Sequence, residues 1–170
     1  MTDSFVIRRI DIADVPIVAR HRAEMFQDMG RLPREQYTTL VERTIERLRL
    51  WVPAGEYVGW FVTPAGQPSE VVAGAGVQLR RVQPHPRPGP EGSVALAVGR
   101  QALVVNVFTE KPWRRRGLAK LVMRHTIGWC KENGVETIVL HASDEGRPLY
   151  EQLGFVATNE MRFMGEPKSP

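Results

Sequence analysis

One segment in the second half of the chain limits the fold most: an apolar strand pattern that runs through a short basic loop into a helical pattern. The strand pattern spans Gln101 to Glu110, and the helical pattern spans Arg116 to Lys131 with its apolar residues on one face. The loop between them carries Arg114, Gly117 and Ala119 in the spacing R-x-x-G-x-A. Such a strand is typically buried in a sheet, and we expect the helix to pack on that sheet.

This loop has the chemistry of an anion-binding site. The first amides of a helix have no intrahelical partner, and the positive end of the helix dipole favours negative charge. Gly117 and Ala119 allow phosphate oxygens to approach the backbone, and the flanking arginines can donate charge-assisted hydrogen bonds. The P-loop pattern G-x-x-x-x-G-K-[ST] is absent, and a dinucleotide fingerprint requires three glycines where this loop has one.

A second segment with chemical potential follows the strand pattern Val135 to Ala142. It runs from Ser143 to Phe155, where Ser143 is placed to cap a short helix that carries Leu149 and Tyr150 and ends before Gly154. Taken alone, this pattern is equally typical of an ordinary amphipathic helix with a tyrosine in its face.

The remaining patterns give the order β-α-α-β-β-β-α-β-α-β, which predicts one mixed α/β domain over residues 1–170 with helices packed on a sheet. We expect the first helix to be capped by Asp14, in preference to Asp11, and to stop at Gly30. The other expected elements are a strand from Phe5 to Ile10, a helix from Tyr37 to Trp51, a hairpin of Glu56 to Thr63 with Glu70 to Arg80, and a final strand region from Gly154 to Phe163.

The segment from Val82 to Arg100 differs from the rest of the chain. Its prolines at 84, 86, 88 and 90 favour an extended, polyproline-like path over a packed element. A loop of this length in a small domain is usually functional or mobile.

In this order, the segments Val104 to Ala119 and Ser143 to Phe155 resemble the cofactor and catalytic segments of GNAT-superfamily N-acetyltransferases. The resemblance implies a mostly antiparallel twisted sheet that splays between the fourth and fifth strands, with helices on both faces. It further implies that acetyl-CoA enters the cleft as cosubstrate, its pantetheine along the fourth strand and its diphosphate on the basic loop. The cofactor-binding residues implied by position are Val107, Phe108, Thr109, Arg114, Arg115, Arg116, Gly117, Leu118, Ala119 and Ser143.

The resemblance also implies that Tyr150 is the general acid of an N-acetyltransferase. The amine attacks the thioester directly, strand amides stabilise the oxyanion, and a phenol, whose pKa is about 10, protonates the departing thiolate. Three residues depart from the family pattern. Ser143 replaces an asparagine, Gly146 replaces a small alanine and loosens the helix, and Pro112 comes one residue late, which predicts a bulge at the loop entry.

The base and the acceptor stay open at this stage. Candidates for the base are Glu24, Asp28, Asn106 through a water, Glu110 and His141. We expect, however, that the carboxylates lie on a solvated helix face and that His141 is a hydrogen-bonded core residue. The family implies an acceptor groove walled by residues 25–32 and the proline-rich loop. Candidate contacts are Asn106 and the apolar Met25, Phe26 and Trp60, although we expect core packing to explain each of these three apolar residues. Histone tails, protein N-termini, aminoglycosides and small polyamines are all compatible acceptors.

Charge and cysteine content exclude several other classes. The net charge is +4, and its densest run lies between Lys111 and Lys120. The arginine cluster Arg114 to Arg116 sits at a helix start without the interleaved aromatics expected for stacking on bases, so we expect no nucleic-acid partner. Cys130 is the only cysteine, which excludes an intramolecular disulfide, and we expect it to be a buried apolar residue and the protein to hold no metal. No stretch approaches the ~20 apolar residues of a membrane span, which predicts a cytoplasmic protein without membrane contact.

Two alternatives compete with the N-acetyltransferase of a small-molecule or peptide amine. Within the same fold, the chain could prefer a bulkier acyl-CoA or an oxygen acceptor. As a different class, it could be a non-catalytic domain that senses CoA or another ligand, with Tyr150 merely structural. Formation of a homodimer stays open.

Overall fold

The computed structural model describes residues 4–165 as a five-stranded sheet with helices on both faces and a separate two-stranded hairpin. The strands are β1 (Phe5–Arg9), β2 (Tyr57–Pro64), β3 (Ala73–Arg81), β4 (His85–Pro88), β5 (Val94–Ala97), β6 (Arg100–Thr109) and β7 (Thr137–Leu140). The helices are α1 (Val15–Asp28), α2 (Tyr37–Ala54), α3 (Leu118–Glu132) and α4 (Arg147–Gln152).

The sheet order is β1-β2-β3-β6-β7, and every pair except the last is antiparallel. The predicted mixed α/β fold with a mostly antiparallel sheet is therefore confirmed. The parallel pairing joins Gln101–Val104 of β6 to Thr137–Leu140 of β7, and β6 then continues five residues to Thr109. β6 and β7 thus separate at this end of the sheet. They correspond to the fourth and fifth strands predicted from the sequence, between which a splay was expected.

Alternating side chains of β2 build two cores on opposite faces of the sheet. Val58, Trp60 and Val62 point toward α3 and pack with its buried residues, including Val122 and Met123. Tyr57 and Phe61 point the other way and pack with residues of α1 and α2, namely Val15, Val18 and Leu48. Each fully buried aliphatic side chain contributes roughly 1.5–3 kcal/mol to folding, so both helical layers are firmly attached to the sheet.

A β-bulge interrupts β6 in the middle of the sheet. Gly76 of β3 lies opposite Val105, whereas Gly74 lies opposite Phe108, so β6 carries one extra residue over this stretch. Asn106 adopts a positive φ of 56°, a conformation that asparagine tolerates better than most residues. The bulge turns both Val105 and Asn106 toward α1 and α2.

The bulge lies upstream of the position predicted from Pro112. At the loop entry itself, the chain makes a single 3-10 turn over Lys111–Trp113. The expected bulge at the loop entry is therefore wrong, and the irregularity of β6 lies at Asn106.

The proline-rich segment folds differently from its prediction. It forms a hairpin in which β4 pairs antiparallel with β5, from His85 opposite Ala97 to Pro88 opposite Val94. Prolines at every second position are compatible with this pairing, because alternate residues of an antiparallel strand direct their N–H groups away from the partner. The expected polyproline-like path is therefore wrong.

Two further expectations fail at the ends of helices and strands. The Asp11 side chain accepts a hydrogen bond from the Ala13 amide (2.8 Å), while the Asp14 carboxylate turns back to Arg8 (2.7 Å), so Asp14 lies at the start of α1 without capping it. Residues 155–164 form no strand, and Phe163 is 88% exposed. The apolar residues that suggested a strand there pair with no other strand in the described chain.

We predict opposite effects for alanine at two glycines. The hydroxyl of Tyr57 occupies the place where a Cβ of Gly76 would lie, so Gly76→Ala should lower the free energy of unfolding by about 1–3 kcal/mol. Gly128, inside α3, has open space around it, and Gly128→Ala should raise the free energy of unfolding by about 0.5–1 kcal/mol. Urea denaturation followed by circular dichroism measures both changes, and an unchanged midpoint for Gly76→Ala would contradict the packing described here.

Candidate active site

A cavity of about 1150 Å³ opens where β6 and β7 separate. It follows β6 from Leu103 to Thr109, a path of roughly 20 Å at the rise of a strand. Residues of α1 and α2 form one side, and the first turns of α3 and α4 form the other. This volume exceeds that of a typical single-ligand pocket, so the cavity has room for two reactants.

The first turn of α3 presents free backbone donors to one end of this cavity. Gly117 precedes the helix with φ 78°, and no side chain caps the turn. In the described residues, the amides of Leu118, Ala119 and Lys120 donate to no other backbone group. Arg115 also has a positive φ of 66°, and such left-handed residues curve the backbone into a concave nest of N–H groups that suits an anion.

The three arginines of this loop have different surroundings. The Arg114 guanidinium donates to Asp28 (2.5 Å) and to the Thr109 carbonyl (3.0 Å), so it shapes the loop. Arg115 lies on the cavity wall. Arg116 stacks on the ring of Trp113 at 4.7 Å and is outside the wall.

All other residues predicted to bind the cofactor line the cavity: Val107, Phe108, Thr109, Arg114, Arg115, Gly117, Leu118, Ala119 and Ser143. The Ser143 hydroxyl accepts a hydrogen bond from the Gly146 amide (3.1 Å) in the turn before α4, but α4 begins at Arg147 and no side chain caps it, so the expected cap at Ser143 is wrong. Whether each residue contacts a cofactor stays a prediction.

Tyr150 reaches the same cavity from α4. Its ring is half-buried and stands edge-on to the ring of Phe155. Burial raises the pKa of the phenol, which therefore stays protonated at neutral pH. A Cβ at Gly146 would lie 3.0 Å from the Tyr150 ring. The glycine thus allows close approach of the ring to the backbone, where the sequence had suggested only a looser helix.

A buried polar network lies at the bulge, on the wall of the cavity. Asn106 donates to the Tyr57 hydroxyl (3.2 Å) and accepts from the Arg22 guanidinium (2.8 Å). Burial raises the pKa of Tyr57 to about 12, so this phenol is a neutral partner. Sequence reasoning selected Asn106 and missed Arg22 and Tyr57. An asparagine inside a strongly apolar strand is the one signal that pointed to such a network.

The candidates for a base have diverse environments. Glu110 accepts hydrogen bonds from Arg20 (2.6 Å) and His21 (3.0 Å), and neither Glu110 nor Glu24 lies on the cavity wall. Asp28 lies on the wall, where Arg114 and Lys111 lower its pKa although burial opposes them.

His141, the remaining histidine candidate, also lies on the wall. The side chain is 52% exposed and contacts Glu160 at 2.8 Å, so the expectation of a core position for His141 is wrong. Its place at the end of β7 exposes it to the solvent that enters the cavity.

The acceptor contacts expected from the sequence divide into two groups. Met25 and Phe26 lie on the cavity wall, next to Asn106. Trp60 is 3% exposed and packs against Trp129 and His125 in the α3 core, so it lies outside the cavity. Residues 82–100 contribute nothing to the wall, because they fold into their own hairpin.

Cys130 lies outside the cavity as well. It is fully buried in the α3 core, as expected, and burial raises the pKa of its thiol to about 11. A thiol with this pKa is protonated at neutral pH and is a poor nucleophile.

Comparisons with known proteins agree with this geometry. Residues 92–165 match the family model of the acetyltransferase (GNAT) domain. A GCN5-related N-acetyltransferase from Ralstonia eutropha JMP134 has a similar structure, with a TM-score of 0.80 and 26% identity over 94% of this chain and 97% of that one. Residues 92–165 thus match the GNAT domain in sequence, and the chain as a whole shares the fold of a GCN5-related N-acetyltransferase.

More distant structures share the GNAT fold. A predicted acetyltransferase from Clostridium acetobutylicum, determined with acetyl-CoA, has a TM-score of 0.74 and 21% identity over 95% of this chain and 96% of that one. For glucosamine-6-phosphate N-acetyltransferase from Arabidopsis thaliana, the TM-score is 0.61, with 16% identity over 98% of this chain and 100% of that one. No curated protein sequence matches the chain significantly. Among residues 4–165, none of the helices has the length and apolarity needed to cross a bilayer.

We predict that the buried His21 makes the free energy of unfolding sensitive to acid. Burial lowers the pKa of His21 from 6.5 to about 4, so between these values the unfolded chain binds the proton and the folded chain does not. The free energy of unfolding should therefore fall by about 2 kcal/mol between pH 7.5 and pH 5. His21→Gln, which has no titrating ring, should remove most of this fall.

Urea denaturation at the two pH values measures the effect. His125→Gln is the matched control, because His125 is exposed on α3 and its loss should leave the pH dependence unchanged. An equal fall in the His21→Gln protein would contradict the assignment to His21.

Proposed function

We propose that residues 1–170 form one N-acetyltransferase domain that transfers the acetyl group of acetyl-CoA to a primary amine of a small molecule or peptide. One observation carries the proposal: the uncapped first turn of α3 and the phenol of Tyr150 border the same cleft along β6. The first suits a diphosphate and the second suits a departing thiolate, and both belong to one acyl-CoA molecule.

The residues present fit this cosubstrate. The free amides of the α3 turn and the Arg115 side chain would hold the diphosphate. Beyond Val104, the edge of β6 that faces the cavity has no strand beside it in the described chain, and an extended pantetheine with its two amides would pair there. Acetyl-CoA supplies an activated acyl group in the form of a thioester.

Each chemical role then falls to a group of this chain. Backbone amides near the β6 bulge would stabilise the negative charge that develops on the thioester oxygen when the amine attacks. The C–N bond forms as the C–S bond breaks, and Tyr150 would give its proton to the sulfur. The amine loses one proton, and His141 or a water held by Asn106 would accept it. His141 and Asn106 both lie on the cavity wall, whereas Glu24 and Glu110 do not.

Replacement of the phenol tests the assignment of the acid. Tyr150→Phe keeps the ring and removes the proton donor, so kcat should fall about 100-fold while the Kd for acetyl-CoA stays unchanged. Release of free CoA thiol, followed with a thiol-reactive dye, measures kcat. Tyr37→Phe on α2, outside the cavity wall, is the matched control and should leave kcat unchanged.

The results separate this proposal from its alternatives. Wild-type turnover that Tyr150→Phe leaves intact would exclude Tyr150 as the acid. Tight CoA binding without turnover of any amine would favour a sensing domain, and turnover only with longer acyl chains would favour a different acyl donor.

The proposed diphosphate seat, which consists of the first turn of α3 and the Arg115 side chain, is tested at Gly117. Its φ of 78° is unfavourable for a residue with a Cβ by roughly 1–2 kcal/mol, so Gly117→Ala should weaken CoA binding about tenfold. Binding of the acetyl thioester of N-acetylcysteamine, which has no diphosphate, should be unchanged. Isothermal titration calorimetry measures both affinities, with Gly128→Ala as the control, and an equal loss for both ligands would argue against the seat.

A further inference from the structure

The cavity continues past the bulge, away from the proposed diphosphate seat. Its far end is lined by Leu103 and Val104 of β6, Tyr57 and Gln78 of the neighbouring strands, and one face of α2. If the diphosphate lies at Thr109 and beyond, the thioester reaches the region of Asn106, and the far end is left for the acceptor.

Arg22 is a half-buried cation beside Asn106, where this end of the cavity begins, and no described carboxylate lies within 4.0 Å of it. Its contacts are neutral: the Asn106 side-chain oxygen at 2.8 Å and the ring of Phe26, whose centroid lies 4.9 Å from the guanidinium carbon. Burial without an anion lowers the pKa of Arg22. An arginine has five N–H donors, so most of its hydrogen-bonding capacity is unused here.

Of the other partly buried arginines in the described residues, Arg8 and Arg20 have a carboxylate and Arg80 has none, and the more exposed Arg114 has one as well. Arg8 pairs with Asp14 (2.7 Å), Arg114 with Asp28 (2.5 Å), and Arg20 with Glu110 (2.6 Å). Arg20 lies only two residues from Arg22 on α1. It forms an ion pair with Glu110, whereas Arg22 has no carboxylate within 4.0 Å in the described residues. A half-buried charge without a counterion is costly, and because Arg22 borders the cavity, an anion that enters the cavity can complete its site.

Two more arginines extend the positive charge along the cavity. Arg43 and Arg47 line it from consecutive turns of α2, and neither has a carboxylate within 4.0 Å in the described residues. The acidic residues of the cavity wall are Asp28, already paired with Arg114 and Lys111, and Glu145, just before α4. The far end is therefore cationic.

We propose that the acceptor amine carries an anionic group, a carboxylate or a phosphate, that binds Arg22 with support from Arg43 and Arg47. This inference rests on the proposed acetyl transfer and specifies its substrate class. A guanidinium binds either group through paired N–H donors. The same cations repel ammonium groups, so polyamines, aminoglycosides and lysine-rich tails are poor acceptors.

Matched acceptors test the charge requirement. Each L-amino acid is compared with its C-terminal amide, O-phosphoethanolamine with ethanolamine, and spermidine serves as the polycation. We expect kcat/KM for one anionic acceptor to exceed that of its neutral partner at least tenfold, and the two series tell a carboxylate from a phosphate.

Variants then connect this preference to Arg22. Arg22→Gln should raise KM for the preferred anionic acceptor at least tenfold, abolish its advantage over the neutral partner, and leave the Kd for acetyl-CoA unchanged. Arg47→Gln, on the exposed surface of α2, should raise the same KM severalfold without risk to folding. Arg49→Gln, also exposed on α2 and outside the cavity wall, is the control and should change nothing.

The outcomes distinguish the two proposals. If neutral or cationic amines are better acceptors and Tyr150→Phe still lowers kcat, the anionic acceptor is excluded and the acetyl transfer stands. If Arg22→Gln and Arg47→Gln keep the preference for anions, Arg22 is not its source and the inference is wrong. If no amine is acetylated, both proposals are overturned.

Discussion

The bulge in β6 is the constraint on which the site depends. One extra residue between Val105 and Phe108 reverses the alternation of side chains, so that Asn106 faces α1 and α2 where a regular strand would direct it toward α3. The bulge requires a close fit on the neighbouring strand, where Gly76 leaves room for the Tyr57 hydroxyl. The hydroxyl in turn accepts the hydrogen bond of Asn106. The sheet and the polar network are thus parts of a single arrangement.

Charge is distributed along the cavity in a way that separates two binding regions. At one end, Arg114 and Lys111 share Asp28, which orders the loop, while the backbone amides of the first α3 turn donate to no other backbone group. At the other end, Arg22 has only neutral contacts. Both ends attract anions, but one uses a fixed backbone and the other uses side chains. The first suits an invariant coenzyme, and the second can differ among proteins that share this fold.

Much of this architecture was predictable from the sequence, because it rests on local patterns. The strand, loop and helix from Gln101 to Lys131 were identified by apolar periodicity and by one glycine, and Tyr150 by its place in a resembling segment. What failed depends on distant partners. His141 was expected in the core and is exposed just after β7, while Arg22 was missed because only the fold reveals that it has no carboxylate. The hairpin of residues 85–97 was missed because proline suggests an open path, and pairing is decided by the other strand.

The pairing of β6 with β7 stops at Val104, before β6 itself ends at Thr109. This has a consequence for the amount of folded protein in a cell. An edge of β6 without a neighbouring strand is a place where another chain can add, and natural proteins usually protect such edges. A coenzyme that lies along this edge protects it and binds only the folded state. By mass action, a concentration 100 times its Kd would stabilise the fold by about 2.7 kcal/mol. The resistance of the protein to proteolysis and aggregation would then follow the coenzyme supply of its surroundings.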